Sequence, residues 1–281
     1  MLGLRWAYQV GMWKDQVEEA LHWAGQTPIK AVEIGGSQLE VYEQHPDKLR
    51  AIAQRNQVDI VAVYEFGHFD LWNRRRGLYL FHEQRARLMQ QAGIPAVVLG
   101  PGLQMVRQRL PEDERRMQQV MSEIIERYSQ YGIRTSIHPH WGHCIFREEE
   151  IARLMESTDV RVQLVLDTLH TAEGDMSMQS LLDRYGGRVS AIHFKDYSHV
   201  VVKDTGLQRQ LSSRRTKDEA LGQGQGELHK LWGYLCDQGC AIQVVLEPPD
   251  ASPCPKTAMN NMLIYALRRG WIKEESHEDR H

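Results

Sequence analysis

The sequence predicts a single-domain α/β protein, a (β/α)8 TIM barrel over residues 1–272, and three observations carry that reading. Short apolar, β-branched runs alternate with longer amphipathic stretches, the pattern of repeated βα units around a parallel sheet. Eight such runs can be counted, where a doubly wound sheet more often stops at five or six. Eight repeats in about 270 residues also match the usual size of a closed barrel.

In chain order, the strands are expected at 4–10, 30–34, 58–63, 96–99, 134–138, 163–167, 190–195 and 241–247. Helices are expected between them at 14–24, 39–54, 75–91, 112–131, 147–156, 178–185, 227–237 and 257–268, each long enough for a right-handed crossover. Pro111 before an acidic first turn opens one helix, and Gly93, Gly132 and the Gly186-Gly187 pair follow the ends of others. Two stretches depart from the repeat. The polar connection 197–226 is far longer than a usual βα loop, and is read either as a lid or as a solvated insertion. The charged tail 273–281 lacks apolar periodicity and is expected to be disordered, so His277 and His281 are not taken as ligands.

Composition narrows the function classes. A net charge of −3 gives no basic excess for binding nucleic acid. The N-terminus does not read as a signal peptide, no segment approaches a membrane span, and a cytoplasmic location is expected. Cys144, Cys236, Cys240 and Cys254 are scattered, without a Cys-x-x-Cys spacing, and are read as structural thiols.

In a barrel of this kind the working face is at the C-terminal ends of the strands. Ionisable residues gather there: Glu33 on the second strand, Glu65 and His68 after the third, and His138 ending the fifth with His140 two residues on. Asp167 ends the sixth and His170 follows it, the seventh carries His193 and Lys195 with Asp196 next, and Glu247 ends the eighth. One histidine near a strand end is usually packing, but coincidence over four consecutive strands is harder to dismiss. Burying these groups together without a cation would leave unpaired charge, which folding disfavours. One divalent metal resolves the problem, and carboxylate and imidazole donors without thiolate suit Mn²⁺, Mg²⁺, Co²⁺, Fe²⁺ or Zn²⁺.

These residues resemble the xylose isomerase-like superfamily of sugar isomerases, epimerases, inosose dehydratases and endonuclease IV-type enzymes. The motifs are Asp167-Thr168-Leu169-His170, His193-Phe194-Lys195-Asp196, Leu221-Gly222-Gln223-Gly224 and Glu247. The resemblance implies that Asp167, His193 and Glu247 are metal ligands, that His170 and Lys195 face the substrate, and that Mn²⁺ is the first choice of ion. His138 stands where epimerases of the group place a glutamate that is both ligand and acid/base. It becomes the fourth ligand, and Ile137-His138-Pro139-His140-Trp141-Gly142 resembles the inosose dehydratase branch. Gly222, Gly224 and Gly226 are not a dinucleotide fingerprint, since they follow the insertion rather than a first strand.

The implied chemistry is proton abstraction beside the carbonyl of a sugar or cyclitol, with a metal-stabilised enediolate. A sugar isomerase or epimerase is the first reading and an inosose dehydratase-like lyase the alternative, since isomerisation, epimerisation and dehydration share that chemistry. His138, His140, His170 and Glu247 are the candidate bases, and Lys195 stabilises an oxyanion or protonates a leaving hydroxyl. His140, Trp141, Glu33 and His68 are expected to touch substrate, with Glu33 and Glu65 alternatively pairing with rim cations. Trp6, Tyr8, Trp13 and Phe66 are further rim aromatics, although Trp6 and Tyr8 also suit filling of barrel layers. The rivals are an endonuclease IV-like phosphodiesterase, disfavoured by the charge, and a subunit of a carbon–glycoside-cleaving complex that needs a partner chain. A homo-oligomer is also open.

Overall fold

The computed structural model describes residues 4–104, 109–200, 216–239, 241–250 and 252–273. Eight parallel strands close into a barrel: β1 (Arg5–Gln9), β2 (Ala31–Gly35), β3 (Asp59–Phe66), β4 (Ala96–Gly100), β5 (Arg134–Ile137), β6 (Gln163–Asp167), β7 (Val189–Phe194) and, last in the chain, β10 (Gln243–Leu246). Their order around the barrel is β1-β10-β7-β6-β5-β4-β3-β2. The larger core lies outside this cylinder, between strands and helices, where Leu21, Ile34, Leu49, Met89, Ile124 and Phe194 are buried. Inside the barrel a separate apolar tier holds Ala7, Ala62, Val98, Val165, Ala191 and Val245.

The helices are α1 (Val17–Gly25), α2 (Gly36–Glu40), α3 (Pro46–Arg55), α4 (Arg75–Ala92), α5 (Pro111–Gln130), α6 (Glu148–Ser157), α7 (Thr168–Glu173), α8 (Met178–Tyr185), α9 (Leu228–Asp237) and α10 (Pro255–Arg268). The predicted stops hold: Gly93 ends α4 at φ 77° and Gly132 follows α5 at φ 71°, conformations that cost glycine little. At the start of α5, Pro111 takes the first helical position and the Asp113 carboxylate accepts from the Leu110 N–H at 3.1 Å.

Several boundaries are corrected. The helix expected at 39–54 is two, α2 and α3, because Pro46 has no N–H to continue a helix through residues 41–45 and instead begins a new one. The first helix starts at Val17, after a short 3-10 turn, Gly11–Trp13. The third strand runs on to Phe66, so Glu65 and Phe66 belong to it. The helix α7 was not anticipated, since the run of six residues is too short to show a helical period.

The connection expected as a 197–226 insertion begins and ends in an antiparallel hairpin of β8 (Asp196–His199) with β9 (Thr216–Glu219). Residues 201–215 of the expected lid or insertion, and residues 274–281 of the expected tail, lie outside the described residues. The Leu221-Gly222-Gln223-Gly224 motif wraps a single carboxylate. Asp196 accepts from the backbone N–H of Gly222, Gly224 and Gly226 at 2.8, 3.0 and 3.0 Å. A Cβ on Gly224 would lie 2.3 Å from Asp196 Oδ1, so only glycine allows the approach. Among the described residues, no helix is long and apolar enough to cross a membrane.

Candidate metal centre

Period-two alternation along each strand decides which residues reach the barrel axis, and register decides their height. Asp167 on β6 is the Cα partner of His193 on β7, so their side chains emerge on the same face at the top of the barrel. Asp167 also caps α7. Its Oδ1 accepts from the His170 N–H at 2.9 Å, which leaves Oδ2 buried without a hydrogen-bond partner among the described residues. The D-T-L-H segment therefore does two jobs: the aspartate turns the chain into a helix, and the helix sets His170 one turn on. Thr168 ties this turn to β7, accepting from Lys195 N–H at 2.9 Å and donating to the Lys195 carbonyl at 2.6 Å.

His193 stands between two carboxylates. Its Nδ1 is 2.5 Å from Glu247 Oε2, and its Nε2 is 3.5 Å from Glu33 Oε1, beyond a good hydrogen bond. Lys195 Nζ takes the other Glu247 oxygen at 2.8 Å. Burial opposes charge on His193, but Glu33 and then Glu247 outweigh it and hold the imidazole above its ordinary value. Burial likewise opposes charge on Glu247, but Lys195 and His193 hold its carboxyl well below the usual range. Asp167 goes the other way: burial pushes it up against the pull of Lys195. Burial, followed by His193, His170 and His140, pushes His138 well down.

Donor atoms of Asp167, His193 and Glu247 lie within 4.8 Å of one another, and so do those of His138, Asp167 and His170. The predicted quartet thus falls into two groups sharing Asp167, with His170 rather than Glu247 beside His138. The set fits a divalent cation. Asp167 Oδ2 and His138 Nδ1 are buried without hydrogen-bond partners among the described residues, and hard oxygen and borderline nitrogen donors suit the ions expected.

The other expected residues divide. His140 belongs to the cluster, its ring 3.7 Å from that of His170. Its Nδ1 bonds the Trp141 carbonyl at 2.7 Å, which ties Trp141 to the site through its backbone. His68 stacks on Phe66 at 5.6 Å, and Phe66 is 5.7 Å from His143, so His68 stands at the outer end of the rim. Glu33 reaches the cluster through His193. Glu65 does not: Arg85 on α4 pairs with it at 2.9 Å outside the barrel. Trp6, Tyr8 and Trp13 are also outside, Trp6 stacked on Trp232 at 5.1 Å, Tyr8 bonded to Thr27, and Trp13 packed on Trp23 at 5.4 Å. Trp6 and Tyr8 lie on the helix-facing side of β1, opposite the lumen-facing Ala7, so neither fills a barrel layer.

Three residues went unmarked in the sequence. His143 stacks 4.3 Å from His140, and an isolated bridge between Leu103 and His143 holds it at the rim. Tyr64 projects into the barrel, its ring 5.7 Å from His138; the extended third strand with its alternation was the signal. Asp218 on β9 is pushed up to about 6 by burial despite Lys195, and it accepts from the Asp250 N–H at 3.3 Å. Nothing local marks Asp218, because only the hairpin folds it over the barrel.

A closed eight-stranded β/α barrel with carboxylates and imidazoles converging at the C-terminal ends of its strands defines the class of protein. The xylose isomerase-like TIM barrel family model matches residues 21–274, and the chain belongs to that family. An inosose dehydratase of Bacillus licheniformis is 33% identical over 160 residues, covering 56% of this chain and 52% of that protein. One of Lactiplantibacillus plantarum is 29% identical over 152 residues, covering 54% and 42%. The chain thus spans about half the length of these curated relatives. Solved structures of low sequence identity share the fold. The probable 3-DHS dehydratase AsbF of Bacillus anthracis has a TM-score of 0.77 at 13% identity, covering 94% of this chain and 98% of that one. The IOLI protein with a binding zinc atom has 0.74 at 15%, covering 94% and 97%.

Proposed function

We propose that this chain is a metal-dependent dehydratase acting on a cyclitol ketone or related sugar, in the manner of the inosose dehydratases it resembles. The observation that carries this reading is the convergence of the buried Asp167, His193, Lys195 and His138 with the half-buried Glu247 and His140. A divalent cation held by Asp167, His193 and Glu247, with His138 alongside, would stabilise negative charge growing on the substrate carbonyl oxygen. Mn²⁺ is the first choice and Mg²⁺, Co²⁺, Fe²⁺ and Zn²⁺ are the alternatives.

The chain's own groups supply the proton chemistry. A carbonyl can only accept, so the short contact to Trp141 means that His140 Nδ1 carries the proton and Nε2 holds the lone pair. His140 is thereby poised as the base that takes the proton beside the substrate carbonyl. Burial lowers its pKa, which keeps it neutral and able to accept near pH 7. Lys195, raised by Glu247 and Asp167 although burial opposes it, stays charged; it holds the enolate oxygen electrostatically rather than giving up a proton. Glu247 is held too acidic for a base and instead orients His193 and Lys195. The C–H bond breaks with its proton on His140, the neighbouring C–O bond breaks, and the departing hydroxide takes that proton to leave as water. An enol that becomes a ketone remains.

A panel of inososes and ketoses in deuterated solvent with added Mn²⁺ tests the reading. Water loss, followed as new absorbance from the unsaturated ketone, is expected from an inosose, and His140→Ala lowers its rate by about 100-fold or more. Deuterium exchange without water loss would make the chain an isomerase or epimerase. Neither exchange nor water loss from any substrate would end the carbon-acid reading.

A further inference from the structure

Barrels of this architecture are ordinarily plugged by large branched residues on the inward face of the strands. Here the middle tier is three alanines and three valines, which are too small to fill the axis. The result is a cavity of ≈ 480 Å³ that opens at the N-terminal ends of the strands and rises as far as Glu33. That is room for a small molecule.

The lining specifies its charge. Arg5 begins β1 and Arg134 begins β5, strands on opposite sides of the barrel, and both line the mouth with Arg50 of α3 at its flank. Among the described residues none of these three guanidiniums has an ion-pair partner. Gln163 and Gln243 line the same opening, and Gln243 Nε2 is buried with no hydrogen-bond partner among the described residues. The mouth also carries the Asp59 carboxylate, but the three exposed guanidiniums outnumber it, and with the unpaired buried amide they leave an excess of donors that calls for acceptor oxygens. The geometry points to the N-terminal mouth of the barrel as a second binding site, for a small molecule bearing phosphate or carboxylate groups, held between Arg5 and Arg134 with Gln243 donating from inside. The apolar tier and the Glu33 carboxylate above it stop an anion from rising further. The site is therefore separate from the cluster at the opposite end of the barrel and does not depend on what reaction occurs there.

Isothermal titration of the full chain with inorganic phosphate, and separately with citrate, tests this. Saturable one-to-one binding of at least one probe is expected, weakened about tenfold or more in Arg5→Gln/Arg134→Gln and kept in Asp167→Asn. Phosphate alone would identify a phosphate ester as the ligand class, and citrate alone a polycarboxylate. Gln243→Leu, which leaves both arginines in place, should weaken the same binding. Thermal melts of each variant separate lost binding from lost folding. Absence of saturable binding by either probe would overturn the proposal, as would binding that persists in the double variant and disappears in Asp167→Asn.

Discussion

Glu247 is shared between His193 and Lys195, and its two oxygens are both engaged at 2.5 and 2.8 Å. Removing the lysine charge therefore acts in two ways: Glu247 loses a buried partner, and, under the proposed function, the substrate oxyanion loses its cation. Lys195→Met is expected to cut turnover by roughly 10²–10³-fold, the usual cost of one electrostatic donor, while binding of the metal stays within a few-fold of wild type. Equal turnover in the variant would remove Lys195 from the chemistry. His82 gives a residue-scale test of stability. Its Nδ1 meets the Tyr128 hydroxyl at 3.0 Å, and burial, with His68 and Arg85, pushes its pKa down from 6.5 to about 3. Because the folded value is the lower one, the unfolded chain takes up the proton first as pH falls. The contribution is whole above pH 6.5 and is lost between 6.5 and about 3, at about 1.4 kcal/mol per pH unit at most. His143, pushed down to about 3 by burial, acts in the same window and direction. Urea melts from pH 7.5 to 4.5 should show this fall, and His82→Leu should flatten it while costing about 1–3 kcal/mol at pH 7.5 through the unpaired Tyr128 hydroxyl. An unchanged slope would contradict the assignment.

Among the elements, the β8–β9 hairpin is fastened at Thr216 by Glu173 and at its base by Asp196. Asp196 accepts from Tyr197, Gly222, Gly224 and Gly226, and so fastens the returning chain to the end of the seventh barrel strand. Asp196→Ala leaves four donors to find other partners, and about 2–4 kcal/mol of stability should be lost. Hydrogen exchange should show the amides of 216–226 opening faster than those of the barrel; uniform exchange would show that the hairpin is held elsewhere. The motif His193-Phe194-Lys195-Asp196 therefore combines opposed duties. Its histidine and lysine face the cluster, and its aspartate builds the loop beside it. A sequence motif marks both kinds of residue equally, and only the hydrogen bonds tell them apart.

For the molecule as a whole, a cation bound only by the folded barrel must stabilise it by mass action. At a free ion concentration 100 times the dissociation constant the gain is about 2.7 kcal/mol, which in a chain of this size raises Tm by roughly 5 °C. Chelator should reverse that shift, and Asp167→Asn should abolish it. A Tm indifferent to both metal and chelator would leave the cluster as a purely protonic network. Barrel closure, the number and order of strands and the strand-end positions of Asp167, His193 and Glu247 were legible in the sequence, because periodicity and chain order alone set them. The same local rules read Glu65 and Glu33 alike, and they could not separate one paired with Arg85 outside the barrel from one beside His193 within it. Nor could they find His143 or Asp218, which reach the rim through a loop bridge and a hairpin. Sequence by itself determined the repeating strands and helices of the barrel and several of the residues that end them, though not α7, the break before Pro46 or the β8–β9 hairpin. Tertiary structure alone decided which ends meet, how Asp167 divides the donors into two groups, and that the axis stays hollow, because side-chain direction, register and the summed volume of six small residues exist only once the barrel has closed.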